Sequence, residues 1–207
     1  MRKPILGALF SALLTLTAAM ALRAAEATLA VAGVAAVAVL FTWYAQLHST
    51  EDRGTLGLAN PASAVSLAVV GRRPWGTLLP VLAAHTIGAV LGGLAALALE
   101  DRLGETLVFT QPGLVVTAVG AALVGLIGAW ATLSVDGGGH EAVSAIPVVV
   151  GGAVMPLGLL AVYQPAAVVG LATAGLIPWD VALVAAGTVL AASAVGAYAV
   201  SLLVPQE

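Results

Sequence analysis

The chain has 207 residues, of which 61% are hydrophobic and only 8% are charged, and its formal net charge is −3. Soluble domains carry about 25% charged residues, so seven basic and ten acidic side chains are too few to give a body of this size a polar surface. This composition excludes an ordinary water-soluble domain and indicates that lipid is the main solvent. The chain has no cysteine, which excludes disulfides and thiolate metal sites. It also lacks a run of basic residues of the kind that binds nucleic acid.

Six apolar stretches have the length of about 20 residues that a helix needs to cross a bilayer core. They cover residues 4–22, 29–47, 75–99, 114–133, 142–160 and 179–204. Apart from Asp180, every charged residue lies outside them. Within the third stretch, Gly88 and Gly92 form a small-xxx-small face, which lets membrane helices approach closely. The pattern predicts an all-α membrane protein with six transmembrane helices.

Two further apolar segments, residues 60–71 and 164–175, are too short to span. Each would form a helix of about 18 Å, roughly half the bilayer. Extended to residues 75 and 179, the two segments align without a gap. The identical pairs are Pro61/Pro165, Ala62/Ala166, Val65/Val169, Leu67/Leu171, Ala68/Ala172, Gly71/Gly175, Pro74/Pro178 and Trp75/Trp179. Since the Pro, Gly and Trp matches are not expected by chance in this composition, the chain contains an internal repeat.

Each half then consists of two spanning helices, a half-helix and a third spanning helix. The first repeat covers residues 1–105 and the second residues 112–207. Because three spans per half is an odd number, the second half begins on the opposite side of the membrane. The sequence predicts a single membrane domain built as an inverted repeat, an arrangement that places functional sites near the midplane.

The distribution of basic residues predicts the orientation. With the N-terminus inside, five basic residues are cytoplasmic and two are outside, in agreement with the positive-inside rule. The cytoplasmic set is Arg2, Lys3, Arg53, Arg72 and Arg73, and the outer set is Arg23 and Arg102. We therefore expect a multi-pass protein of the cell (inner or plasma) membrane with both termini in the cytoplasm. The first stretch also has features of a signal peptide, but its removal would break the repeat, so we expect it to be retained.

The starts of the two half-helices carry the most specific signal. Asn is a favoured N-cap, and Pro is favoured at the first helical position because its missing N–H would have no partner there. Asn60-Pro61-Ala62 therefore indicates a helix that begins inside the membrane. The same pattern recurs as Gln164-Pro165-Ala166. Non-helical backbone at this depth is tolerated only when it is buried in protein or lines a watery cavity.

With these motifs the chain resembles the major intrinsic protein family, the aquaporins and glycerol facilitators, as a divergent bacterial-type member. The family's two Asn-Pro-Ala boxes match Asn60-Pro61-Ala62 and, imperfectly, Gln164-Pro165-Ala166. Residues 84–89 are similar to the family's Ala-Gln-x-x-Gly-Ala, with His85 in place of Gln. The resemblance implies a passive channel for water or small neutral solutes such as glycerol, urea or gases, without a cofactor, assembled as a homotetramer. It also implies a structural role for His85.

The chain departs from the family pattern at several positions. Gln164 is longer than Asn and a poorer cap, so its amide should lie deeper in the lumen or turn aside. Ala167 stands where most members have the arginine of the outer constriction, and Gly152 lies near another residue of that filter. Phe41 and Tyr44 are candidates to narrow it. The first and fourth helices also lack the family's buried glutamate. These departures predict an outer filter wider and more apolar than that of a strict water channel.

Three functions follow from these features. The first is the passive channel. The second is a secondary transporter, since inverted repeats with broken helices also form those, but apart from Asp180 at the start of the last stretch the spans lack the carboxylates or lysines that ion coupling would need. The third is a non-conducting or structurally degenerate family member. An enzyme is not expected, because the sequence has no Cys, no clustered carboxylate pair within a span and no His with an evident orienting partner.

Overall fold

The computed structural model describes residues 2–23, 61–103, 113–134 and 164–203, and all secondary structure in these ranges is helical. The helices are α1 (Arg2–Arg23), α2 (Pro61–Val69), α3 (Leu78–Ala98), α4 (Glu100–Leu103), α5 (Leu114–Ser134), α6 (Pro165–Thr173) and α7 (Trp179–Leu203), with a 3₁₀ turn at Trp75–Thr77. The all-α prediction is confirmed for this part of the chain. The helices expected at 29–47 and 142–160 lie outside the described residues.

Two of the described helices are long and apolar enough to cross a membrane, judged by length and composition. They run from Trp75 to Ala98 and from Trp179 to Leu203. The apolar helical stretches Pro4–Met20 and Leu114–Trp130 are shorter. The chain thus has the general character of a helical membrane protein. The count of six spans and the orientation stay predictions.

The distribution of polarity across the helices agrees with a lipid environment. On α3, the large side chains of Leu79, Ile87 and Leu91 are exposed, whereas His85 is only 1% exposed. Hydroxyl side chains on the other helices are buried as well. They include Ser11, Thr15, Ser63, Ser66, Thr117, Thr132 and Ser193. Since a water-soluble protein shows few large exposed apolar patches, exposed apolar and buried polar side chains on the described helices agree with a general membrane character.

The short helices α2 and α6 end in the same turn. Gly71 and Gly175 have φ of 73° and 72°, the left-handed conformation that glycine adopts without steric cost. In both copies the two N–H groups after the helix return to its last carbonyls: Arg72 N donates to Leu67 O at 2.9 Å, and Leu176 N to Leu171 O at 3.1 Å. This is a Schellman motif. It ends the helices at Val69 and Thr173, two residues before the predicted limits at 71 and 175.

The contacts between helices are also equivalent in the two halves. Helix α1 packs against α3, as α5 packs against α7. Helix α2 contacts α3, α5 and α7, and α6 contacts α7, α1 and α3. The two short helices also contact each other. Exchanging α1, α2 and α3 for α5, α6 and α7 therefore reproduces the same set of contacts.

Glycines allow the closest of these approaches. A Cβ built on Gly88 would overlap the carbonyl oxygen of Ala8, and one on Gly92 would overlap that of Ala12. The prediction of a small-residue face on this helix is confirmed, and the face meets the backbone of α1. Between α5 and α7, a Cβ on Gly125 would lie 2.7 Å from Val189 O. Small residues thus set the distance between the two long helices described in each half.

The start of α3 differs from the prediction of one continuous helix from residue 75. The chain forms a 3₁₀ turn closed by Thr77 N to Pro74 O at 3.0 Å, and the α-helix begins at Leu78. Pro80 falls in the first helical turn, where a missing N–H leaves no hydrogen bond unmade. The turn places Trp75, which is 61% exposed, outside the helix bundle.

Candidate functional site

Gln164 occupies the N-cap position of α6 and is only 2% exposed. Its carbonyl accepts the first helical hydrogen bond, from Ala167 N at 3.0 Å, and Pro165 follows as the sequence analysis expects for a helix start. The Gln164 side chain, however, makes no capping hydrogen bond. The long amide is therefore not used to cap α6, and its position relative to a lumen stays a prediction.

The amide instead lies against the imidazole of His85 in the middle of α3. Gln164 Nε2 is 3.4 Å from His85 Nδ1, and Ser11 Oγ of α1 is 2.6 Å from the same nitrogen. The three side chains form a polar cluster, here called the Gln164 cluster, in which Ser11 is 0% and His85 1% exposed. An acceptor Nδ1 suits both neighbours, since a serine hydroxyl and an amide nitrogen can each donate to it. In that tautomer the ring proton is on Nε2.

The close packing of α1 on α3 brings this cluster together. Because Gly88 lies one turn after His85 and admits the backbone of α1 at Ala8, Ser11 on the next turn of α1 reaches the ring. Gly7 leaves room for the imidazole, since a Cβ there would lie 2.9 Å from His85 Nε2. Phe10 packs edge-on to the ring with centroids 6.4 Å apart. These contacts hold the imidazole in one orientation.

Among the residues that the structure describes, three buried side-chain polar atoms have no hydrogen-bond partner. They are Gln164 Oε1, Thr15 Oγ1 and Thr117 Oγ1. Thr15 lies one helical turn beyond Ser11 on α1 and packs against α6, since a Cβ on Gly170 would be 2.6 Å from Thr15 Oγ1. An unsatisfied buried polar group costs about 1–3 kcal/mol. Unused hydrogen-bonding capacity thus lies at Gln164, at the start of α6, and at Thr15, beside Gly170 further along the same helix.

The other short helix has different surroundings at its start. In the register of the repeat, His85 corresponds to Val189 of α7, so the imidazole has no counterpart in the second half. Helix α2 is instead joined to α5 by Ser63 Oγ and Thr132 Oγ1, which lie 3.2 Å apart. Ser66 Oγ also donates to Ser193 O at 3.4 Å. Only the short helix that begins after Gln164, α6, thus has an imidazole at its start, whereas the equivalent position near α2 is occupied by Val189.

The remaining predicted site residues divide into two groups. Pro61, Ala62, Pro165 and Ala166 are all buried. Ala167 is 4% exposed and belongs to the same apolar cluster as Ala62 and Val168, and its part in an outer constriction stays a prediction. The other predicted site residues lie outside the described residues: Asn60, Phe41, Tyr44 and Gly152.

Ser11 and Thr15 were not predicted as site residues. The signal was present, because two hydroxyl residues four positions apart lie on one face of an otherwise apolar helix. Their partners on α3 and α6 could not be inferred from the sequence.

No protein-family model matches this chain, and neither a curated protein nor a solved structure matches it at a significant level. Within the part of the chain that the structure describes, no group of three His, Cys, Asp or Glu residues is placed to hold a metal ion. The interpretation of the site therefore depends on its own geometry.

Replacing Ser11 and His85 singly and together tests the Gln164 cluster. We expect Ser11→Ala and His85→Phe to be non-additive, with a coupling free energy of about 1–2 kcal/mol, because each leaves the partner's buried polar atom unpaired. Reversible denaturation in mixed micelles measures these free energies. The control pair is His85→Phe with Ser201→Ala, since Ser201 Oγ bonds only locally to Tyr198 O at 2.7 Å. Additive effects of Ser11→Ala and His85→Phe would contradict the observed contact.

Proposed function

We propose that this chain is an aquaporin-like channel for the passive flux of water and small neutral solutes such as glycerol, urea or gases. In this proposal six transmembrane helices and two re-entrant half-helices, α2 and α6, form an inverted repeat in the cell membrane. Both termini are cytoplasmic, and the resemblance to the major intrinsic protein family implies a homotetramer.

The pair of short helices is the observation that carries this proposal. Both start at a buried proline, end at a glycine with positive φ and contact equivalent helices of the opposite half. They also contact each other, and Ala62 shares an apolar cluster with Ala167. Two buried nine-residue helices in equivalent positions support a pair of half-helices that meet near the midplane.

The electrostatics of such a pair favour neutral permeants. Each helix N-terminus has about half a positive charge. Two of them facing one passage would repel cations and protons, which would also lose their hydration there, whereas a neutral molecule is little affected. Among the helical residues whose side chains the structure describes, the only buried titratable group is His85. An imidazole that accepts from Ser11 and Gln164 would add no charge to the passage.

Stopped-flow light scattering on proteoliposomes tests the channel. We expect osmotic water flux several-fold above that of empty vesicles, with a low activation energy, and no increase in potassium chloride leakage. The ratio of water flux to glycerol and urea flux then gives the selectivity. If neither water nor any solute crosses faster than in empty vesicles, the chain is a non-conducting member of the resembled family. Flux that is coupled to an ion gradient would show a secondary transporter.

A further inference from the structure

We propose that the turn after α2, residues 71–77, binds the headgroup of an anionic phospholipid, with Arg72 on the phosphate and Trp75 as the anchor beside it. This inference rests on the membrane location in the proposed function and does not depend on whether the chain conducts a solute. It assigns a lipid ligand to a part of the surface outside the Gln164 cluster.

The two short helices end in turns of the same backbone conformation but of different charge. Each turn has a glycine with positive φ, a proline and an exposed tryptophan at equivalent positions. The turn after α2 has two consecutive arginines, and the turn after α6 has Leu176 and Ile177 in their places. The second turn also has Asp180, an acidic residue that the first turn lacks. The conformation of the turn therefore does not require basic residues.

The second arginine, Arg73, is largely buried in the turn. Its Nε donates to Thr77 Oγ1 at 2.7 Å, and this hydroxyl donates to Pro74 O at 2.7 Å. In the second turn, Ile177 and Val181 take the places of Arg73 and Thr77 and are buried in the apolar core. Because packed apolar residues can replace buried ionic groups without loss of stability, folding alone does not explain the choice of a polar pair in the first turn.

Arg72 and Trp75 are the exposed side chains beside this polar pair. The bonds from Arg73 through Thr77 to Pro74 O close the turn that contains Trp75, and Trp75 is 61% exposed. Arg72 is exposed as well. Tryptophan is enriched at the membrane–water interface, since its ring is apolar and its N–H is polar. A turn anchored by Trp75 would therefore hold the Arg72 guanidinium at the level of the headgroups.

An anionic phospholipid is the partner that matches both side chains. A guanidinium donates two parallel hydrogen bonds to one phosphate, and the acyl chains beneath that phosphate offer an apolar contact to the indole. A free phosphate would match only Arg72. In the proposed orientation the first turn faces the cytoplasmic leaflet, whose anionic lipids attract basic residues. The carboxylate of Asp180 disfavours the same lipid at the second turn.

Quenching of tryptophan fluorescence by brominated phospholipids tests this site, because a brominated acyl chain quenches only an indole close to it. One reporter chain keeps only Trp75 and a second keeps only Trp179, with the other tryptophans replaced by phenylalanine. Both are measured in bilayers of phosphatidylglycerol and phosphatidylcholine in which one lipid at a time is brominated. We expect Trp75 to favour phosphatidylglycerol about fivefold, the factor for one arginine near an anionic surface, and Trp179 to show no such preference.

Arg72→Gln in the Trp75 reporter should abolish the preference for phosphatidylglycerol. The matched control is Arg102→Gln, which removes an exposed arginine beyond the other end of α3 and should leave the preference unchanged. Equal quenching by the two lipids at Trp75, or a preference that survives Arg72→Gln, would overturn the inference. Soluble glycerophosphoglycerol, the headgroup without acyl chains, should not reduce the preference. If it does, the turn binds free phosphate groups and the assignment to a lipid is wrong.

Native mass spectrometry replaces the quenching measurement if a reporter chain does not fold. In the otherwise unchanged chain, Arg72→Gln should lower the affinity for one bound phosphatidylglycerol about fivefold, and Arg102→Gln should not. An unchanged affinity in Arg72→Gln would contradict the proposal. Neither measurement needs flux. A chain that binds this lipid and conducts nothing therefore refutes the channel alone, and a conducting chain without the lipid preference refutes this inference alone.

Discussion

Gly88→Ala should destabilise the protein by about 3 kcal/mol, the upper end of the usual range for overpacking. A Cβ at this position would overlap the carbonyl oxygen, carbonyl carbon and Cα of Ala8. Because these are backbone atoms, no side-chain rotation relieves the overlap, and α1 and α3 must separate. That separation also moves Ser11 away from His85. Reversible denaturation in mixed micelles gives the free energy of unfolding, and size-exclusion chromatography in detergent shows whether the chain is monodisperse.

The matched control is Gly187→Ala on α7. No atom lies within 4 Å of a Cβ built on Gly187, so the substitution meets open space. Since alanine is a better helix former than glycine, we expect the free energy of unfolding to increase by about 0.5–1 kcal/mol. The same Gly→Ala substitution should therefore lower the free energy of unfolding at position 88 and raise it at position 187. Equal effects at both positions would contradict the close approach of α1 and α3 in the folded protein.

Single cysteines at Gly76 and Asp180 should react with an impermeant thiol reagent from opposite sides of the membrane. The chain has no cysteine of its own, so each introduced thiol is the only target. The two positions are equivalent in the repeat, each directly after the tryptophan that follows one of the short helices α2 and α6, and both are exposed. With the predicted orientation, Gly76→Cys is labelled only from the cytoplasm and Asp180→Cys only from outside. Labelling of intact cells and of inverted vesicles measures the two sides.

A second cytoplasmic reporter controls the labelling experiment. Arg72 is exposed in the turn after α2, and Arg72→Cys should react from the same side as Gly76→Cys. If Gly76→Cys and Asp180→Cys react from one common side, the two halves are parallel and the inverted repeat is wrong. If the sides are opposite but exchanged, the repeat stands and the positive-inside prediction fails.

The two experiments address different levels of the proposal. Substitution at Gly88 tests the packing that assembles the Gln164 cluster, and cysteine labelling tests the topology that would place α2 and α6 within one passage. If both experiments give the expected results and no solute is conducted, the protein folds with the proposed topology but has no open pore.

Features that depend on composition and on short sequence motifs were predicted from the sequence. The composition indicated lipid as solvent, because a polar surface needs more charge than the chain has. Pro61, Pro165, Gly71 and Gly175 predicted the short helices, because proline favours a helix start and glycine permits the positive φ that ends it. The prediction erred at the helix limits by about two residues, since the Schellman turn begins before its glycine.

The packing between segments that are distant in the sequence could not be predicted from composition or motifs. Gly88 and Gly187 are the same residue in similar apolar helices, and only the neighbour, a backbone in one case and open space in the other, makes one sensitive to substitution. The sequence left open whether the Gln164 amide enters the lumen or turns aside. His85 is 79 residues away from Gln164, and Ser11 is 74 residues from His85. Hydrogen bonds over such separations depend on how the helices pack, so the tertiary structure was needed to show that the amide turns towards His85 and leaves its oxygen unpaired.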